Sequence, residues 1–317
     1  MKTILKILAL MLFTATGYAQ QDAQYNQYIF NELVINPAYA GTKDVFNVNA
    51  IYSNQWTGFT GSPTTQTLSI DGPVTDKIGV GFHIINDKIG AENQNGIFGS
   101  YSFKVKLNST LKLSMGIAVG ATNFNIDGNE LTTVNQDDPQ VPKSMINKFR
   151  FDSKAGVFLY NERFFTGFSS SNITADIFKS KDLLVAGQVR HYYLTSGYVF
   201  DIAPKFKFKP SFLIKADFKA PTNIDINGFF LYNKRFWLGA SLRTGARIFT
   251  SSDIDNNLKL RDAILFMAEY NINDLFRIGY AYTYSVSALS DYPGHEFSLG
   301  YYFPNKSTSS MKNPRYF

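Results

Sequence analysis

The residues best suited to chemistry are few in this 317-residue chain: three histidines and no cysteine. Without cysteine there is no disulfide framework, zinc–thiolate site, iron–sulfur cluster or thiol nucleophile. A histidine-based triad or metal centre needs imidazoles that converge with a nucleophile or with carboxylates. His83, His191 and His295 lie far apart, on or beside different segments. Two loop clusters carry the oxygens that calcium takes, Asp137-Asp138 and Asp253-Ile254-Asp255-Asn256-Asn257. In the second, Leu258 stands sixth, where a calcium hand requires glycine, and Asp and Asn are ordinary loop residues. No glycine-rich phosphate loop occurs. The expectation is a protein that is not an enzyme and holds no cofactor or metal.

The cationic side chains are more orderly. Lys205, Lys207, Lys209, Lys215 and Lys219 occupy one parity of a segment whose other parity is Phe206, Phe208, Phe212, Ile214 and Phe218. In the same way Phe236, Leu238, Ala240 and Leu242 oppose Trp237, Gly239, Ser241 and Arg243, with Arg247 further along. Phe276, Ile278, Tyr280, Tyr282 and Tyr284 alternate with Arg277, Gly279, Ala281 and Thr283. Period two belongs to strands, whose side chains point alternately to two faces. Each segment therefore has one apolar and one wet face.

Fourteen such segments are predicted, at 44–53, 64–71, 77–87, 96–106, 111–124, 152–160, 163–171, 190–201, 205–219, 222–233, 235–249, 260–271, 275–287 and 294–304. Alternation is poorest in 44–53 and 260–271. The connections alternate short and long. Tight turns at Pro73–Asp76, Leu107–Thr110, Asn161–Glu162, Ile202–Pro204, Lys234 and Asn273–Asp274 are separated by longer loops such as Asn54–Pro63, Lys88–Asn95, Asn125–Phe151 and Asn172–Val189. Ala220–Pro221 is the exception, short where a long loop is due. An even strand count with short turns on one rim and long loops on the other is the plan of an outer-membrane barrel. Lipid offers the backbone no hydrogen-bond partner, so a sheet there must close on itself. The fold expected is an all-β transmembrane antiparallel barrel of about fourteen strands, occupying 44–304, with periplasmic turns and extracellular loops.

The wet parity then faces a lumen, because a Lys on the lipid face costs about 2–4 kcal/mol near the midplane. Lys205, Lys207, Lys209, Lys215, Arg243 and Arg247 become lumen-lining candidates. They either make a cationic wall that binds or conducts anions, or pair with carboxylates such as Asp217, Asp225 and Glu269. Trp237, Phe229, Tyr193 and Tyr302 share the wet parity, and such inward bulk argues for a filled interior.

Ahead of the barrel, Lys2 and Lys6 flank the apolar run Ile4–Phe13, and Gly17-Tyr18-Ala19 is a small-x-small cleavage pattern. Residues 1–19 read as a signal peptide. Its removal takes two Lys from the formal charge of +6, leaving a surplus too small to imply nucleic acid. The composition of 16% aromatic and 18% charged residues suits a β-rich protein, and the barrel pattern makes it an integral outer-membrane protein in contact with lipid.

The mature start reads Gln24-Tyr25-Asn26-Gln27-Tyr28-Ile29-Phe30-Asn31, then Ile35-Asn36-Pro37-Ala38-Tyr39-Ala40-Gly41, Gln55-Trp56-Thr57-Gly58-Phe59 and Gly61-Ser62-Pro63-Thr64-Thr65-Gln66. In this order the blocks resemble the PorP/SprF family of Bacteroidetes outer-membrane proteins, as does the closing Pro314-Arg315-Tyr316-Phe317. Glu32-Leu33-Val34 departs from the more apolar or proline-containing stretch of that family. The resemblance implies a non-enzymatic component of type IX secretion, supporting export or surface anchoring of a secreted adhesin-like partner through its C-terminal domain, in some members with gliding motility. Periplasmic type IX subunits or a peptidoglycan-associated protein are further implied partners. The alternative is a passive porin or small-solute channel with a cationic lumen.

Asn36-Pro37 disfavours a helix, and the aromatic residues make 20–43 too apolar to float free. This segment is expected against or inside the periplasmic mouth as a plug. Tyr25, Tyr28, Asn36, Pro37, Tyr39 and Trp56 are the partner-binding candidates, Trp56 being either an anchor or an interfacial girdle residue. Residues 305–317 form a periplasmic tail.

Overall fold

A computed structural model describes residues 26–131, 144–176, 189–249, 260–287 and 289–303. Fifteen strand segments form one antiparallel sheet. In chain order they are β1 (Phe46–Asn54), β2 (Thr64–Pro73), β3 (Ile78–Ile89), β4 (Glu92–Lys106), β5 (Lys112–Asp127), β6 (Met145–Tyr160), β7 (Phe164–Ser171), β8 (His191–Tyr198), β9 (Phe200–Ala203), β10 (Phe206–Ala216), β11 (Thr222–Tyr232), β12 (Phe236–Ala246), β13 (Arg261–Asn271), β14 (Phe276–Ser285) and β15 (Gly294–Phe303). β8 and β9 both pair with β10 and are separated only by Val199, so they form one stave broken at that residue. β1 pairs with β15 from Phe46↔Phe303 to Asn54↔His295, and β10 pairs with β11. The sheet is thus a closed barrel of fourteen staves, with no edge along the membrane-spanning wall.

The two segments with the weakest alternation, 44–53 and 260–271, are both full staves, β1 and β13. Closure holds them: each is hydrogen-bonded on both sides, and a ladder overrides a weak side-chain pattern. Two expected loops shrink. The connection placed at Lys88–Asn95 is the two-residue turn Gly90-Ala91, because β4 begins at Glu92. Both ends of the loop placed at Asn125–Phe151 are strand instead, since β5 and β6 stay paired out to Asp127↔Met145. In both places polar residues occupy positions that rise above the lipid, where the apolar half of the alternation is no longer needed.

The alternation fixes which face is inside. On β2, Thr65, Thr67, Ser69 and Asp71 are buried, while Leu68 and Ile70 are exposed. Exposed Met115, Ile117 and Val119 do the same on β5. Aromatic residues ring the barrel near the short-turn rim, in cross-strand pairs Phe206–Tyr232 at 4.8 Å and Phe276–Tyr301 at 4.7 Å between ring centroids. Such pairs add to ladder stability, and their position is that of an interfacial girdle.

Candidate functional site

The lumen is occupied by the chain's own N-terminal segment. Asn26–Phe30, Glu32–Val34 and Pro37–Tyr39 are three short 3-10 turns, and every one of their residues is buried. Regular helix is blocked locally: Asn36 has φ −136° and ψ 108°, the extended geometry that a following proline enforces, and its side-chain Oδ1 accepts from Ala38 N at 3.0 Å. A segment with few internal backbone bonds must find partners elsewhere. Here the inward polar side chains of the wall supply them.

At the short-turn rim the chain passes from β1 into the lumen. Lys104 Nζ donates to Gly41 O at 2.8 Å, Ser102 Oγ donates to Ala40 O at 2.7 Å, and Asp71 accepts from Gly41 N at 3.0 Å. Lys43, fully buried, has its Nζ 4.0 Å from Asp71 and over the rings of Tyr39 and Tyr302. Gly41 is the hinge: its φ of +68° is left-handed, and an added Cβ would lie 2.8 Å from Gly72 O. Deeper in, Asn36 Nδ2 donates to Val157 O at 3.1 Å and Ser169 Oγ donates to Ile35 O at 2.7 Å. Tyr39 meets Phe158 edge-on at 5.5 Å.

At mid-height, Lys154 Nζ donates to Val34 O at 2.9 Å and lies 4.4 Å above the ring of Phe98, which stacks on His83. Asn31 Nδ2 donates to Ser69 Oγ at 2.9 Å. Phe30 packs on Phe229 at 5.7 Å, with Lys209 Nζ set over Phe30, Phe229 and Trp237. Arg277 bridges Glu269 and the side chains of Asn47 and Asn49.

The segment ends near the long-loop rim. Glu296 accepts from both Asn26 N and Gln27 N, at 3.2 and 2.7 Å. Arg243 forms a two-pronged pair with Asp225, at 2.8 and 3.0 Å, and donates to Asn26 Oδ1 at 3.2 Å. Asn227 Nδ2 donates to the Tyr28 hydroxyl at 2.8 Å. Residues 26–43 therefore run most of the height of the barrel, well beyond the periplasmic mouth.

Of the lumen-lining candidates, Lys209 and Arg243 are buried beside this segment. Lys215 is half-buried on the inner parity, in register with Tyr193 and Asn223. Lys207 pairs with Asp201 at the short-turn rim, where Arg163 joins them. Lys205 lies in the turn before β10, and Arg247 lies beyond the end of β12; both are exposed at the rims, outside the buried set. Strand ends were extended too far at both places by the sequence pattern. Of the named carboxylates, Asp225 pairs with Arg243 and Glu269 with Arg277, while Asp217 caps its own turn by accepting from Lys219 N and Ala220 N. Trp237, Phe229, Tyr193 and Tyr302 are all buried inside.

Tyr28, Asn36, Pro37 and Tyr39 come together as part of the filled lumen. Trp56 does not join them; it is half-buried in the outer loop 55–63, with φ +52°. That loop is pinned by Thr57 N to Pro293 O at 2.7 Å and by Gly90 N to Gly61 O at 2.9 Å, and it presents Phe59, 46% exposed, edge-on to Tyr292. Tyr25, both calcium-type clusters, residues 1–19 and the tail 305–317 lie outside the described residues. Among the described residues no group of three His, Asp or Glu is placed to hold a metal ion.

The residues that hold the segment, notably Glu296, Lys104, Ser102, Asp71 and Lys154, were not singled out in sequence. One signal was available. Inward glycines at 116, 156, 167 and 279 sit where an added Cβ would collide with Ala38, Asn36 and Gln27. A run of inward glycines in a barrel wall marks something lying close against it.

The profile of the family "Type IX secretion system membrane protein PorP/SprF" matches residues 17–301. No curated protein matches the chain. Among solved structures, the P. putida toluene transporter TodX is 11% identical with a TM-score of 0.48, covering 89% of this chain and 95% of that one. The CymD monoaromatic hydrocarbon channel is 11% identical with a TM-score of 0.47, covering 91% and 95%. The KdgM porin is 9% identical with a TM-score of 0.39, covering 81% and 99%. These likenesses are too distant to carry a functional argument.

Proposed function

The chain belongs to the PorP/SprF family of type IX secretion system membrane proteins, and from that premise we propose that it serves as a filled scaffold, not a conduit. In this reading the barrel is an anchored outer-membrane support that helps export a secreted, adhesin-like partner or retains its C-terminal domain at the surface, with gliding motility as one use. The supporting observation is the lumen. Residues 26–43 fill it through buried contacts at both rims and at mid-height, and a path blocked in this way suits neither a porin nor a solute channel. What remains for a partner is the outer rim with its loops and, on the inner side, the short-turn rim, which periplasmic type IX subunits or a peptidoglycan-associated protein could meet. None of these roles requires a reacting group.

The test is affinity purification of the tagged protein from outer membranes, with conductance recorded on the same sample in planar bilayers. A stoichiometric secreted protein with no steady current is expected. A solitary barrel that passes a steady anion-selective current would overturn the proposal and make the protein a pore.

A further inference from the structure

The hairpin of β5 and β6 is taller than the wall beside it. β6 pairs with β5 along its whole length, from Met145 to Tyr160, but with β7 only from Ala155 to Tyr160. Among the described residues, the stretch 145–154 therefore has a strand neighbour on one side alone. In an antiparallel ladder, successive residues turn their N–H and C=O groups to opposite sides. The Phe151 carbonyl accepts from Thr174 Oγ1 at 2.9 Å, and Ser153 N donates to Asp152 Oδ1 at 2.6 Å, so the odd-numbered residues face away from β5. The short turn Ile173–Asp176 covers that lower end. Above it, the main-chain groups of Met145, Asn147 and Phe149 face the open side with no backbone partner among the described residues.

We infer that this edge is a docking strip for an extended strand of a secreted protein, which adds to β6 by main-chain hydrogen bonds. The inference rests on the surface-partner reading above and names where that partner binds. An unpaired row of N–H and C=O groups is best matched by another backbone. The strip stands outside the lipid: beside it the outward residues of β5 are Asn123 and Asn125, not the Ile117 and Val119 of the apolar band. Its side chains add a grip. Phe149, 64% exposed, meets Phe151 edge-on at 5.3 Å on the outer face. On the opposite face Arg150 is buried, and its Nη2 has no acceptor among the described residues. The matching strand thus has apolar residues on one parity and an acceptor on the other. A second copy of this chain does not fit. Two barrels inserted the same way up are related by an axis along the membrane normal, which cannot set their edges antiparallel and would turn their outer faces to opposite sides.

The test uses the full-length barrel in detergent and, as probes, the purified C-terminal domains of the cell's secreted type IX proteins, applied one at a time. Asn147→Pro removes an N–H from the open side and leaves the β5 ladder untouched, a change that edge strands tolerate. Phe149→Asp, at an exposed side chain, is the second variant, and heat-modifiable gel migration reports that each is folded. Binding by the wild type, weakened about tenfold or more in both variants (a factor of ten being about 1.4 kcal/mol), is expected. Equal binding by the wild type and both variants overturns the docking strip and leaves the surface-partner reading standing. Absence of binding to the wild type by every domain overturns that reading, and the strip with it.

Discussion

The two ends of the luminal segment are held by different chemistry. At the inner rim, Pro37–Lys43 is gripped through its backbone: Ala40 O, Gly41 N and Gly41 O each meet a wall side chain, and Gly116 and Gly156 bring the wall within contact of Ala38 and Asn36. Toward the outer rim, Asn26–Phe30 is held by bulk and charge, in an apolar cluster with Phe229, Leu231 and Trp237 and beneath the Arg243–Asp225 pair. Both ends have main-chain contacts, a buried acid–base pair and aromatic neighbours. What the inner end adds is the tight glycine fit at Ala38 and Asn36, and what the outer end adds is the two-pronged Arg243–Asp225 pair. The contrast teaches that one lumen can be filled in two ways, and that the two should fail differently.

The largest loss should come at the outer end. Arg243→Ala leaves Asp225 buried without its cation and should cost about 3–5 kcal/mol, because a stranded buried charge is penalised heavily. The double variant Arg243→Ala with Asp225→Ala should recover part of that loss. The temperature at which the folded band converts on gels, or urea unfolding in liposomes, would show it; strictly additive losses would mean that the pair does not act as a unit. At the inner end, Gly116→Val should cost about 1–3 kcal/mol by overpacking against Ala38, with no rescue from any charge change. A neutral Gly116→Val would show that this end yields as readily as a loop. The smallest effect should be Ser102→Ala, about 1 kcal/mol for one hydrogen bond to Ala40 O. Lys205→Gln, in an exposed turn, should stay within about 0.5 kcal/mol as the comparison for both ends.

The barrel was legible because lipid imposes a period-two code on every stave, and all fourteen segments could be placed from it. Strand ends were less legible. Above the lipid, the code lapses while pairing continues, so Asn93, Asn95, Asn147 and Lys148 read as loop although they lie in β4 and β6. Inward polarity was equally ambiguous. Lys209, Arg243 and Glu269 satisfy a wet channel and a filled interior alike; the inward bulk of Trp237, Phe229, Tyr193 and Tyr302 favours the second, and the depth reached by Asn26 is what fills it. That depth is a long-range fact: Gln27 meets Glu296 across 269 positions, and apart from the inward glycines local spacing does not announce it.

The upward course of Asn26–Lys43 also bears on how the protein is made. The segment is synthesised ahead of every strand, yet it lies inside a cylinder whose last strand, β15, seals against β1. Once that seam is shut the wall has no side opening, so the eighteen residues 26–43 reach their place only by being enclosed as it shuts or by passing up through the short-turn mouth. By either course the end that precedes Asn26 travels up the lumen, so a folded domain spliced there would obstruct assembly, and a reporter meant to leave it undisturbed belongs in an outer loop.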